Sequence, residues 1–229
     1  MLKAVIFDID GTLVDSVDLH ARAWQEAFAR FGKQVEFERV RYQIGKGGDQ
    51  LMPVFFTRAE LDEFGEEMEE FRGRLYKRDY LQRVRAFPRV RDLFERVRRD
   101  GRRIVLASSA KQDELQEYKR IADIEDLVED ETSADDAEKS KPHPDIFEAA
   151  LAQLRGVSAA EAVVVGDTPY DAEAAGKIGL RTVGLLCGGF PAEDLRAAGC
   201  VSLYESPADL LARYDDSPLA ANASAAGQD

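Results

Sequence analysis

Cysteine is scarce in this chain: Cys187 and Cys200 are the whole supply, and they lack the spacing of a metal-binding pair. A reducing, cytoplasmic setting without a disulfide is therefore expected. Basic residues also run short, 31 Lys and Arg against 44 Asp and Glu, for a formal net charge of −13. That balance excludes nucleic acid as a partner, because phosphate backbones demand basic surface. No apolar stretch is long enough to span a bilayer, so no membrane partner is expected. A basic segment followed by a long apolar run is missing near Met1, so no secretion signal is expected. Internal repeats and sustained heptads are absent, and a monomer or weak dimer is expected.

What remains is a globular composition, 45% hydrophobic over 229 residues, enough for one large domain or a domain with an insertion. Apolar runs of strand type stand at Ala4–Phe7, Ile104–Ala107, Ala162–Val165 and Thr182–Leu186, with a weaker one at Cys200–Leu203. Helical patterns separate them, at about 89–100, 111–121, 144–155, 170–178, 192–198 and 207–214. Such alternation predicts an α/β fold, a doubly wound parallel sheet of Rossmann-like type with the strand carboxyl ends along one edge. Residues 1–14 and 86–215 would form this core.

Between the first two strands no convincing strand appears. Val17, Ala21, Trp24, Phe28 and Phe31 recur at helical spacing, as do Leu61, Phe64, Met68, Phe71 and Leu75, with Glu70 and Arg74 paired four apart. Residues 15–85 are expected to be an inserted all-helical cap domain above the edge that carries Asp8 and Asp10. The run 123–138, with nine acids and no base, reads as a solvated edge or loop, and 216–229 as a flexible tail.

The chemistry gathers where strands end. Val5, Ile6 and Phe7 run straight into Asp8 and Asp10, with Gly11 and Thr12 after them. Acids at the end of a buried strand are costly to desolvate unless a cation or donors receive them. An aspartate nucleophile beside a hard metal ion, with a second aspartate carrying protons, fits that placement. The run Ala162–Val165 likewise leads through Gly166 into Asp167, with Asp171 a turn later, where it also suits a helix N-terminus. Asp8, the carbonyl of Asp10 and Asp167 would supply part of an oxygen shell for Mg²⁺. Ser108 and Ser109 follow the strand at Ile104–Ala107, a turn that can seat phosphate or, through Ser109, cap the next helix. Lys141 stands in Ser-Lys-Pro-His-Pro, stiffened by Pro142 and Pro144, where it could neutralise a carboxylate and phosphoryl oxygens. His143 reads as a surface residue.

The order Asp-x-Asp-Gly-Thr, strand-Ser, Lys-Pro, Gly-Asp-x-x-x-Asp resembles the haloacid dehalogenase superfamily, in the helical-cap branch of phosphoglycolate phosphatases and β-phosphoglucomutases. The resemblance implies that Asp8 attacks phosphorus and that Asp10 protonates the leaving oxygen and then activates water. It implies Ser108 and Lys141 at the phosphoryl oxygens, Thr12 and Ser109 in support, and Mg²⁺ held by Asp8, Asp10, Asp167 and Asp171. An aspartate at position 10 favours phosphate esters over the dehalogenase and phosphonatase branches.

In the cap, His20 and Trp24 share a helix face, and β-phosphoglucomutases resemble this chain in that pair. The loop holding Gly45, Lys46 and Gly47 matches their substrate-reading loop. Those mutases carry an arginine there, whereas here only Lys46 is available, a point charge rather than a planar fork. The expected activity is an Mg²⁺-dependent phosphatase acting on a small phosphorylated metabolite through an aspartyl-phosphate. The alternatives are a sugar phosphomutase and a non-catalytic binding or regulatory protein on the same fold.

Overall fold

The computed structural model describes residues 1–220. Its first part runs β1 (Ala4–Phe7), β2 (Val14–Asp15), α1 (Val17–Arg30), α2 (Phe37–Arg41), α3 (Gly48–Leu51), α4 (Arg58–Leu75) and β3 (Arg85–Ala86). Helix and strand then alternate through α5 (Val90–Arg99), β4 (Arg103–Ala107), α6 (Gln112–Ala122), β5 (Asp130–Thr132), α7 (Asp145–Gln153) and β6 (Ala162–Gly166). The described chain continues with α8 (Pro169–Lys177), β7 (Arg181–Leu185), α9 (Ala192–Ala197), β8 (Cys200–Tyr204) and α10 (Pro207–Ala212).

Six strands form one sheet in the order β5-β4-β1-β6-β7-β8, and every pairing is parallel. This is the doubly wound α/β architecture that the alternation predicts, and each anticipated core helix and strand lies within two residues of its expected bounds. The strand period sorts the core into two halves. Val5, Phe7, Ile104, Leu106, Val163 and Val165 face α5, α6 and α10, and Phe7 stacks on Phe94 with centroids 4.6 Å apart. Ala4, Ile6, Val105, Ala107, Ala162 and Val164 face α7 and α8. Burial on both faces is why these strands are apolar throughout rather than alternating. Each fully buried Val, Leu, Ile or Phe contributes about 1.5–3 kcal/mol. The strand order reverses at β1, so a crevice opens at its carboxyl end.

No strand of the main sheet lies between β1 and β4. α1 and α4 close over Trp24, Phe28, Leu51, Phe56 and Met68, a cluster separate from the sheet core. α4 starts in a reciprocal cap, Thr57 accepting from the Glu60 N–H while the Glu60 carboxylate accepts from the Thr57 N–H at 2.6 Å. It runs on through a π-helical turn, Tyr76–Tyr80.

One expectation narrows and two need correction. The acidic run is an edge rather than a loop, since it contains β5, the outermost strand, paired to β4. Its acids lie in a strand because neighbours receive them: Arg103 pairs with Asp130 at 2.6 Å, Lys119 pairs with Glu131 at 2.5 Å, and Gln112 donates to Glu131 at 2.7 Å. The helical segment is bracketed by the antiparallel ribbon β2–β3, whose two-residue strands are too short to leave a periodic signal. Finally, 217–220 is no loose tail: Ser217, Leu219 and Ala220 are buried, and Leu219 joins the sheet core. The remainder of the predicted tail, 221–229, lies outside the described residues. Both cysteines are free thiols, and no helix among the described residues is long and apolar enough to cross a membrane.

Candidate active site

The chain leaves β1 at Asp8 and folds back at once. Leu13 N–H donates to the Ile9 carbonyl at 2.8 Å, and Gly11 takes φ +79°, a backbone state that a side chain would strain. The turn aims Thr12 inward, where its hydroxyl donates to Asp167 Oδ1 at 2.8 Å and stands 3.3 Å from Asp8 Oδ2. Asp167 sits at the end of β6, the strand beside β1, so parallel pairing alone brings the two acids to one edge.

Lys141, 1% exposed, donates to Asp8 Oδ1 and, at 2.7 Å, to Asp171 Oδ1. The second Asp171 oxygen accepts from the Thr168 N–H at 3.0 Å and the Thr168 hydroxyl at 2.7 Å. Asp171 therefore caps α8 and serves the acid cluster at once. One oxygen from each of Asp8, Asp167 and Asp171 lies within 4.8 Å of the others. All three are buried, and Asp167 Oδ2 has no hydrogen-bond partner among the described residues.

Charge explains what this cluster lacks. Burial pushes the Asp8 carboxyl up to about 7, against the pull of Lys141. Burial, with Asp8 and Asp171 beside it, raises Asp167 well above the carboxylate range. Burial also works against the Lys141 charge, but Asp171 and Asp8 hold that ammonium above its ordinary value. Three ionised acids and one ammonium leave two negative charges in a low-dielectric site, a costly arrangement unless a cation joins it. The donor atoms are all carboxylate oxygen, and one oxygen of Asp167 is orphaned among the described residues, so the set fits a hard divalent cation of the Mg²⁺ type.

Asp10 faces the other way. Its Oδ1 accepts from Ser16 at 2.5 Å and from His20 Nε2 at 3.0 Å, so its carboxylate stands apart from the other three. Burial alone would raise its pKa. The His20 imidazole beside it, with hydrogen bonds from His20, Ser16 and Tyr118, outweighs burial and holds Asp10 below its usual value.

Asp8, Asp10 and Lys141 floor a cavity roofed by His20, Trp24, Gly45, Lys46, Gly47 and Arg72, with Ser109, Lys111 and Glu114 at one side. Trp24 belongs to the helical cluster as well, as its spacing suggested. Lys46 lies with its ammonium 4.5 Å from the Tyr170 ring centre and hydrogen-bonds Gln43 at 2.6 Å. His143 is half-buried and lines no part of the cavity.

Two residues expected at phosphate also meet protein groups. The Thr12 hydroxyl is spent on carboxylates, and Ser108 is fully buried with its Oγ accepting from the Ala110 N–H at 3.0 Å. Ser109 lines the cavity but caps nothing, because α6 begins one turn position later with Lys111 ahead of it and no side-chain cap.

Four residues escaped the sequence. Arg72 brings a guanidinium into the cavity, so Lys46 is not the sole cation of the helical segment there. Its position was a usable signal, since it falls four after Met68 and three before Leu75 on the buried stripe of α4. Glu114 and Tyr118 are buried on α6, and nothing marks them beyond helical spacing. Gly188 has no signal at all, yet a Cβ there would sit 1.7 Å from Asp167 Oδ2.

Residues 5–185 match the sequence profile of haloacid dehalogenase-like hydrolases. A Thermotoga maritima protein named phosphorylated carbohydrates phosphatase is 28% identical over 214 residues, covering 92% of this chain and 97% of its own length. A phosphoglycolate phosphatase of Nitrosospira multiformis is 29% identical over 217 residues, with 90% and 94% covered. Among solved structures, a hydrolase from Pseudomonas syringae superposes with a TM-score of 0.81 at 29% identity, over 93% of this chain and 98% of that one. Since the profile reaches from β1 to the end of β7 and so takes in every acid of the site, the chain belongs to the haloacid dehalogenase-like hydrolase family.

Proposed function

We propose that this hydrolase is an Mg²⁺-dependent phosphatase of a small phosphorylated metabolite. The observation that carries the reading is the buried trio Asp8, Asp167 and Asp171, offset among the described residues by Lys141 alone, with Asp8 and Lys141 opening onto a cavity. A bound Mg²⁺, held by these carboxylates with the Asp10 carbonyl, would offset the two surplus charges and polarise the phosphoryl group.

Asp8 then attacks phosphorus, the ester oxygen leaves, and protonated Asp10 gives that oxygen its proton. The donors that hold the Asp10 pKa low favour its carboxylate, the form that takes a proton from the attacking water. Water next attacks the aspartyl-phosphate, Asp10 takes back a proton, and phosphate departs from a restored Asp8. Lys141 stays charged beside Asp8 throughout. Ser109 stands on the cavity wall to receive phosphoryl oxygens, and Ser108 keeps its hydroxyl proton to donate beside it. The helical segment 15–85 acts as a cap, hinged at the β2–β3 ribbon, that admits the ester and then excludes bulk water.

One observation favours the mutase reading: Arg72 brings to the cavity a guanidinium whose buried Nε is unpartnered, a donor set suited to a second anion. The two relatives named phosphatases support hydrolysis as the better reading.

The test is a panel of sugar phosphates, phosphoglycolate, nucleotides and p-nitrophenyl phosphate, with the full chain. Turnover with Mg²⁺ is expected, falling about a hundredfold or more on chelation. Isomerisation of a sugar phosphate, primed by a bisphosphate and faster than hydrolysis, would select the mutase. No turnover of any ester would leave only a binding protein.

Gly188→Ala provides a second check. The added Cβ must displace the Asp167 carboxylate, so hydrolysis is expected to drop about a hundredfold. Overpacking costs only about 1–3 kcal/mol, and unfolding curves should show a folded chain.

A further inference from the structure

We propose that Tyr118 is a positioning residue for Asp10. Through its hydroxyl on α6 it holds the His20 imidazole, and through that ring the carboxylate, in the orientation that delivers a proton to the leaving oxygen. This rests on the reading of Asp10 as the proton carrier.

The Arg72 contact selects the tautomer of His20. Arg72 Nη2 lies 3.2 Å from His20 Nδ1, and a guanidinium only donates, so Nδ1 accepts and the imidazole proton sits on Nε2. That proton goes to Asp10 Oδ1, 3.0 Å away. The Tyr118 hydroxyl stands 3.0 Å from the same Nε2, which has no lone pair left for it. Its oxygen therefore shares the Nε2 proton with Asp10 Oδ1 as a second acceptor. Tyr76 completes the chain, its hydroxyl 2.7 Å from that of Tyr118, with either oxygen able to donate.

Packing leaves this network little freedom. The Tyr76 ring stacks on His20 with centroids 3.9 Å apart and planes 8° apart. Tyr118 is 1% exposed and lines no part of the cavity. It touches no substrate, yet it is the one member supplied by the α/β core rather than by the helical segment or the β1 turn. Ser16 and His20 hold one side of the Asp10 carboxylate, and Tyr118 ties the imidazole to α6.

A positioning role leaves a mark that a merely structural one does not, because a misaligned acid matters only when the departing oxygen is basic. Phenyl phosphate and p-nitrophenyl phosphate differ little in size. Phenol, however, is about as weak an acid as a tyrosine side chain, near 10, and p-nitrophenolate leaves readily without a proton. The readout is kcat/KM with Mg²⁺, which reports the steps through departure of the alcohol.

For Tyr118→Phe, kcat/KM on phenyl phosphate is expected to fall about tenfold or more, and on p-nitrophenyl phosphate less than about threefold. Competitive inhibition by inorganic phosphate should not change. The double variant Tyr76→Phe/Tyr118→Phe removes both hydroxyls and orphans neither, so it keeps the test valid if the single variant folds poorly. It should reproduce the same contrast. Equal losses on the two esters, or no loss, would overturn the proposal. Asp10→Asn, run alongside, separates the two claims. If it too lacks the contrast, the acid role of Asp10 fails, whereas a contrast in Asp10→Asn alone removes only Tyr118.

Discussion

Asp8→Asn is expected to lower Mg²⁺-dependent hydrolysis by roughly 10⁴-fold or more while leaving the chain folded. The carboxylate oxygen that would bond to phosphorus becomes part of an amide, which is no nucleophile. Shape is nearly conserved, and the amide oxygen can still accept from Lys141. Electrostatics act in favour of the variant. Burial and the Asp171 and Asp10 charges oppose ionised Asp8, so deleting its charge relieves repulsion in the cluster. In chelator the variant should therefore match or exceed the parent in stability, measured by urea unfolding. Initial rates on the best ester of the panel, beside those melts, give the answer: turnover near the parental rate would remove Asp8 from the mechanism.

Lys141→Met should produce the opposite pairing of effects, a loss of both activity and stability. The thioether fills similar space but leaves Asp8 and Asp171 buried without their ammonium partner. Stripping one member from a buried ion pair typically costs about 3–5 kcal/mol, because the remaining charge stays uncompensated. That is a large part of a domain's net stability. The loss should be greatest in chelator and partly recovered by Mg²⁺, since a cation can replace some of the missing positive charge. Denaturant midpoints with and without Mg²⁺ measure it. An unchanged midpoint in chelator would mean that the acids are not ionised around Lys141.

The contrast between these variants turns on residues of unequal legibility. Asp8 and Asp167 were readable because each ends an apolar run, and a buried strand that stops in acid is a local pattern. Lys141 was readable only through its place in an ordered set of motifs. Thr12 was visible, but its target was not. Its partner Asp167 lies 155 positions away, and a hydroxyl beside Asp8 looks equally suited to a phosphoryl oxygen. Arg72 hid because a charged residue flanking an apolar stripe usually reaches solvent, whereas α4 turns it toward the cavity. Tyr118 passed for core, which it also is.

By itself the sequence determined the sheet, its order of helices and strands, and the acids at the strand ends, because hydrophobic period and chain neighbours act over a few residues. Tertiary structure alone decided which oxygen Thr12 serves and which way Asp10 turns. It also decided that Gly188 must lack a side chain and that Leu219 packs as core. Those outcomes depend on ångström-scale approaches between segments far apart in the chain, and local periodicity carries no information about distances across the sheet edge.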